Sequence, residues 1–158
     1  MTAAKDPLLL EQQLCFALYR ASRAMIRAYG PLLEPLGVTY PQYLVLLALW
    51  EEEGIPVKRL GEQLVLDSAT LTPLLKRLEQ RGIVERRRDG QDERVVRIFL
   101  TEGGRALRAQ AKHIPGQLAC RAGVDAASSR SMAQLARLRE ELTALSKVLE
   151  EGEADGKA

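Results

Sequence analysis

The stretch LDSATLTPLLKRLEQRGIVERRRDGQDERVVRIFLTEGG, residues 66–104, holds two hydrophobic periods in succession, and the change between them decides the fold. In its first half Leu71, Leu74, Leu75 and Leu78 recur at helical spacing. Asp67 and Ser68 precede them with oxygens suited to an N-cap, Pro73 must lie near the helix start, and Gly82 closes the segment. Past Gly82 the pattern changes. Ile83-Val84-Glu85-Arg86-Arg87 and Val95-Val96-Arg97-Ile98-Phe99-Leu100 read as two strands around the polar turn Asp89-Gly90-Gln91-Asp92. Just upstream, Ile55 fits a very short strand, and Pro56 opens a helix with Val57, Leu60 and Leu64 inward.

Working outward, residues 7–29 place Leu10, Leu14, Leu18, Ala21, Met25 and Ile26 on one helix, which we expect to end at Gly30-Pro31. Thr39-Tyr40-Pro41-Gln42 has the form of a capping box and opens a buried helix to about Trp50. Residues 101–123 return to helix, with an expected interruption at Pro115-Gly116. A last helix, about 125–150, sets Leu135, Leu138, Leu142, Leu145 and Leu149 at spacings of three and four, an a/d seam that wants a partner. The expected fold is mainly α with a small β-hairpin wing: a winged helix-turn-helix over 31–104, flanked by dimerisation helices at 1–30 and 105–150. We expect 151–158, EGEADGKA, to be disordered. A small winged helix cannot cover the leucine stripes of both terminal helices, so a homodimer is expected.

Composition narrows the class. With 158 residues, 46% hydrophobic and 28% charged, the chain can bury one core and does not read as disordered. Aromatics at 4% are few for an all-β sandwich. The net charge of +2 says little by itself. Residues 1–55 carry four basic and six acidic side chains, 56–105 eleven and eight, and the remainder eight and seven. The excess sits in Arg86-Arg87-Arg88, Arg94 and Arg97, which is either a solvated hairpin or a surface for an anionic partner. No apolar run reaches the ~18 residues of a membrane span. The opening MTAAKDPLLLEQQ has no small-residue cleavage site, so we expect no signal peptide and a cytoplasmic location. Cys15 and Cys120 do not make a disulfide framework, and with His113 as the single histidine they do not make a zinc site. No metal and no cofactor is expected.

The residues from Asp67 to Gly104, with the Asp92-x-Arg94 pair and Leu100-Thr101-x-x-Gly104, resemble the MarR family of bacterial transcription regulators. The resemblance implies a winged-helix dimer whose recognition helix enters the major groove of double-stranded DNA at a pseudo-palindromic operator. The residue types agree. Ser68, Thr70, Thr72, Lys76 and Arg77 lie off the leucine stripe, so hydroxyls can meet base edges or phosphates while cations hold the backbone. Ser68 has a purely capping reading as well. Arg94 at the hairpin suits a narrow minor groove, and the resemblance implies that Asp92 orients it.

The segments LCFALYRASRAMIRAY and GVTYPQY are similar to the organic hydroperoxide resistance repressors within that family. The similarity implies a peroxidatic Cys15, hydrogen-bonded by Tyr29 and Tyr40, and a resolving Cys120. It makes an organic hydroperoxide the inducer and an intersubunit disulfide the switch that releases the operator. Tyr19, four residues from Cys15, shares its helix face. Tyr29 shares it too, but lies ~21 Å along a continuous helix at 1.5 Å per residue, so it can reach Cys15 only from a partner chain running oppositely. Taken alone, Cys15 also reads as a small core residue, and so does Cys120.

Two other readings stand beside this one. A MarR-type regulator could be gated by a small aromatic acid in the dimer cleft, with Cys15 only lining it. A thiol peroxidase is the third, but no Arg or Thr motif of a peroxiredoxin surrounds Cys15, so we do not expect an enzyme.

Overall fold

The computed structural model describes residues 6–125 and 128–155. Its elements are α1 (Leu14–Leu33), α2 (Tyr40–Glu51), β1 (Ile55–Pro56), α3 (Val57–Leu64), α4 (Ser68–Gln80), β2 (Val84–Arg88), β3 (Val96–Leu100), α5 (Glu102–Ala111), α6 (Ile114–Arg121) and α7 (Ser129–Asp155). The chain divides into two compact units, one ending at Ile114 and the other beginning at Pro115.

In the first unit, α3, α4 and the β2–β3 hairpin form the winged helix. The small sheet is antiparallel in the order β1-β3-β2, with Ile55 opposite Ile98 and Val84 opposite Leu100. The two residues of β1 therefore turn the expected hairpin into a three-stranded sheet. Leu71, Leu75 and Leu78 of α4 are buried with Leu60, Ile98 and Leu100, each such side chain stabilising the unit by about 1.5–3 kcal/mol. Asp67 caps α4, its carboxylate accepting the Thr70 backbone N–H at 2.6 Å.

Helix α2 is apolar nearly all round and runs through the core. Its capping box closes as expected: Thr39 N–H donates to Gln42 Oε1 at 2.9 Å, which satisfies the buried Gln42. Helix α5 docks on α2 through Trp50 Nε1, which donates to the Gly104 carbonyl at 3.1 Å. This explains the Leu100-Thr101-x-x-Gly104 motif. Thr101 Oγ1 caps α5 by accepting the Gly104 N–H at 3.1 Å, and a Cβ on Gly104 would sit 2.2 Å from the Ile83 carbonyl oxygen.

Four boundaries differ from expectation. The first helix, expected from residue 7, begins at Leu14, and Leu10 lies in a separate 3-10 turn, Leu10–Gln12. Helix α1 continues through Gly30-Pro31 to Leu33, because Leu32 and Leu33 are buried there. Their burial offsets the ~3 kcal/mol that an interior proline costs. The break before α6 falls at Lys112 and His113; Pro115 and Gly116 lie in the first turn of α6, where a missing N–H is harmless. Finally, α7 reaches Asp155, so 151–155 of the expected disordered tail are helical in a Glu- and Ala-rich context. Residues 156–158 lie outside the described residues.

In the second unit, α7 is a long amphipathic helix. Met132, Leu138, Leu142, Val148 and Leu149 are exposed along it. No single helix among the described residues is long and apolar enough to cross a membrane.

Candidate nucleic-acid interface and sensor site

Helix α4 presents two polar rows opposite its buried leucines. Ser68, Thr72 and Lys76 follow one another at i, i+4 and i+8, and Thr70 and Arg77 lie seven apart beside them. All five are exposed. Because Asp67 does the capping, the Ser68 hydroxyl is spared for other partners. Thr70 is not. Its backbone N–H first, and its hydroxyl second, hold the Asp67 carboxyl below the usual carboxylate range.

The cations around α4 fall into two sets. Arg86 grips Glu79 through Nε at 2.8 Å and Nη2 at 2.6 Å. Arg87 pairs with Glu85 and lies 4.8 Å over the Phe99 ring, and Arg88 donates to the Glu93 carbonyl at 3.3 Å. Arg97 pairs with Asp89 and donates to the Gly54 carbonyl at 2.9 Å. Among the described residues, Lys76, Arg77 and Arg94 make no such side-chain bonds. They are the cations left for an anionic partner.

Asp92 Oδ1 accepts the backbone N–H of Arg94 at 3.0 Å, a bond that shapes the loop carrying Arg94. Across the hairpin, Asp89 pairs with Arg97. Asp89 also accepts the Gln91 and Asp92 N–H groups at 2.8 and 3.2 Å, and its carboxyl is lowered to about 2, chiefly by the Arg97 hydrogen bond. The geometric reason is side-chain reach across the hairpin: Asp89 stands just past the end of β2 and lies diagonal to Arg97, which is registered opposite Arg87. A cleft between α3, α4 and the wing is lined by Lys58, Arg59, Thr72, Arg86 and Arg94. Lys58 and Arg59 were missed from sequence. Only the shape of the cleft gives them a place here; Lys58 is largely exposed and 4.0 Å from Glu62, and Arg59 is held by Glu52 through two bonds of 2.8 Å.

The second constellation sits on α1 and the start of α2. Tyr29 and Tyr40 meet with ring centroids 4.8 Å apart, and Tyr43 joins them at 5.7 Å from Tyr29. Tyr43 was legible only as a core residue; nothing in its spacing announces the cluster. Burial raises the pKa of all three, and neighbouring tyrosines add to the shift at Tyr29 and Tyr43. Their phenols therefore stay protonated at neutral pH and remain O–H donors. Cys15 is exposed and free, near the other end of α1, and Cys120 is exposed in the last turn of α6. Tyr19 is exposed beside Cys15, with the Arg23 guanidinium 5.5 Å over its ring, apart from the Tyr29–Tyr40 pair. Leu14, Met25 and Ile26 are exposed on the same helix.

A buried-leucine recognition helix, a charged wing and two long terminal helices define a winged-helix regulator. A family profile described as transcriptional regulator SarA/Rot matches residues 27–110. The fold is shared with a MarR transcriptional regulator from Methanosarcina mazei Go1, with a TM-score of 0.74 and 26% identity over 84% of this chain and 95% of that one. The chain belongs to the MarR family of winged-helix transcription regulators.

Within it, the chain is of the organic hydroperoxide resistance type. It is 57% identical over 113 residues to the organic hydroperoxide resistance transcriptional regulator of Bacillus subtilis (strain 168), covering 72% of this chain and 77% of that one. It is 51% identical over 144 residues to the HTH-type transcriptional regulator TtmR of Methylorubrum extorquens (strain PA1), covering 90% and 74%. Reduced AbfR bound to DNA superposes with a TM-score of 0.71 at 38% identity, over 89% of this chain and 94% of that one. AbfR has also been solved with its disulfide formed.

Proposed function

We propose that the chain is a homodimeric, DNA-binding repressor that senses organic hydroperoxides through Cys15 and Cys120. One observation carries this reading: Cys15 and Tyr29 lie toward opposite ends of one continuous helix with exposed apolar side chains, and Tyr29 meets Tyr40 at the start of α2. Two α1 helices running antiparallel cover those side chains and bring Cys15 to the partner subunit's Tyr29 and the partner subunit's Tyr40. A free cysteine has a pKa of about 8.5 and is mostly thiol at neutral pH. Protonated phenols donating to the sulfur favour the thiolate.

The thiolate attacks one peroxide oxygen. The O–O bond breaks, the other oxygen leaves as the alcohol after taking a proton, and the sulfur is left as a sulfenic acid. The thiol of the partner's Cys120 then condenses with it, forming the S–S bond and releasing water. Disulfide geometry requires Cα atoms within ~7 Å, so closing the bond forces backbone movement wherever the reduced thiols lie farther apart. We assign to that movement a rotation that takes the two recognition helices out of register with half-sites one DNA turn, ~34 Å, apart. On the DNA, Ser68, Thr72, Lys76 and Arg77 face the major groove, Arg94 the minor groove, and Lys58 adds a phosphate contact.

The first test is a non-reducing gel with and without one equivalent of cumene hydroperoxide. A covalent dimer that appears, reverses with reductant, and is lost in both Cys15→Ser and Cys120→Ser supports the pairing. If the chain stays at monomer mass and mass spectrometry finds no sulfenic acid, the redox reading fails and gating by a small aromatic ligand takes its place.

A further inference from the structure

Helix α4 ends at Arg81, and the Arg81 guanidinium leaves the winged helix altogether. Nη1 donates to the Gly37 carbonyl and Nη2 reaches the Leu36 carbonyl at 3.5 Å. Both oxygens belong to the connector that leaves α1 and delivers Tyr40 three residues later. They close the short 3-10 turn Glu34–Leu36, whose exposed carbonyl end attracts a cation. Gly37 is built for the contact. Its φ is +64°, and a Cβ there would lie 2.5 Å from Arg81 Nη2. Among the described residues, no other hydrogen bond joins this connector to α4.

We infer that Arg81 is the positioning residue that couples the tyrosine cluster to the recognition helix. It acts on Tyr40 through the connector and on Arg77 through the last turn of α4, where the Arg81 N–H donates to the Arg77 carbonyl at 3.2 Å. A shift of α1 moves the Leu36 and Gly37 carbonyls, and a charge-assisted donor follows its acceptors. Helix α2, which carries Tyr40 and Tyr43, is largely buried and packs against α4, and the Arg81 bonds add a polar hold from the connector to the end of α4. This inference adds a coupling residue to the proposed function, but coupling is reciprocal and can be read without oxidation.

The chain has four tyrosines, so 3-fluorotyrosine labelling gives a spectrum small enough to assign by single Tyr→Phe variants. The probe is a duplex selected from random DNA with the reduced protein. In the wild type, binding the duplex shifts the Tyr40 and Tyr29 fluorine signals. In Arg81→Ala the duplex still binds, within about threefold on a scale where tenfold is 1.4 kcal/mol, but those signals stay at their free positions. Arg81→Lys, which keeps the charge and one donor, restores part of the shift. Should Arg81→Ala fold poorly, Arg81→Gln serves in its place. Wild-type signals that ignore the duplex overturn the inference, and so do variant signals that move as the wild type's do. In parallel, affinity for the duplex is compared before and after one equivalent of cumene hydroperoxide. A wild type that never loses affinity refutes peroxide sensing while leaving the fluorine result to decide the coupling.

Discussion

Leu71 and Leu138 each lie on the apolar stripe of their own helix, yet one is 1% exposed and the other 51%. The first belongs to a winged helix that closes its core within one chain. The second belongs to α7, whose apolar side chains are left exposed, and α1 repeats the pattern with Leu14 at 63%. The same contrast holds for the functional groups. The polar rows of α4 are presented in full by a single chain, whereas Cys15 and Tyr29 are separated along one helix. A module that reads DNA can be assembled by local hydrophobic period. A sensor that must move that module is better placed between chains, where closing one bond shifts two rigid bodies.

The contrast can be broken most sharply at the sensor. Cys15→Ser should abolish release of the selected duplex by cumene hydroperoxide while leaving affinity in the reduced state unchanged, as read by fluorescence anisotropy. Retained release would move sensing away from α1. Next in size, Leu138→Asp should raise the dimer dissociation constant at least a hundredfold, since an unpaired carboxylate in an apolar seam is costly. Sedimentation velocity at micromolar protein would show it, and the folded winged helix should survive.

Smaller effects sharpen the other side of the comparison. Tyr29→Phe removes a donor to a charged acceptor, worth about 1.5–3 kcal/mol, so sulfenic acid formation should slow by on the order of tenfold or more. Stopped-flow oxidation at fixed pH measures this. Within the DNA module, Lys76→Ala should lower the salt slope of a dimer by about two units, at about 0.9 per phosphate contact. Arg87→Ala should lower it less, because Glu85 already neutralises that cation. Equal slopes would dissolve the division into held and available cations.

The smallest effect concerns the wing. Asp89 has its folded pKa depressed to about 2, so its contribution to stability is present above the unfolded value of about 3.9 and is lost as pH falls toward 2. The melting temperature of Asp89→Asn should therefore trail that of the wild type at pH 5 and meet it near pH 2.

Local pattern carried the fold a long way. The leucine period of α4, the change of period after Gly82 and the Thr39–Gln42 box all involve partners within a few residues, and all three stand in the structure. Errors came where distant packing outweighed local preference. Gly30-Pro31 looks like a stop until Leu32 and Leu33 find a core, and Pro115-Gly116 looks like a break until it falls in a first turn. At the candidate site, the family resemblance pointed to Tyr29 and Tyr40 but did not add Tyr43, which joins them through a ring contact between two helices. The Asp89–Arg97 pair was not legible for a related reason: it joins residues eight apart that only the hairpin brings together.

From the amino acids in order came the winged helix-turn-helix and the apolar stripes of its terminal helices. Such features rest on residue type and on periods shorter than two helical turns. Tertiary structure alone decided which arginines are already neutralised, which acid holds the wing, and that Arg81 reaches back across 44 residues to Gly37. Those outcomes depend on where side chains of separate elements meet. Several carboxylates and carbonyls compete for each guanidinium, and only the folded geometry chooses among them.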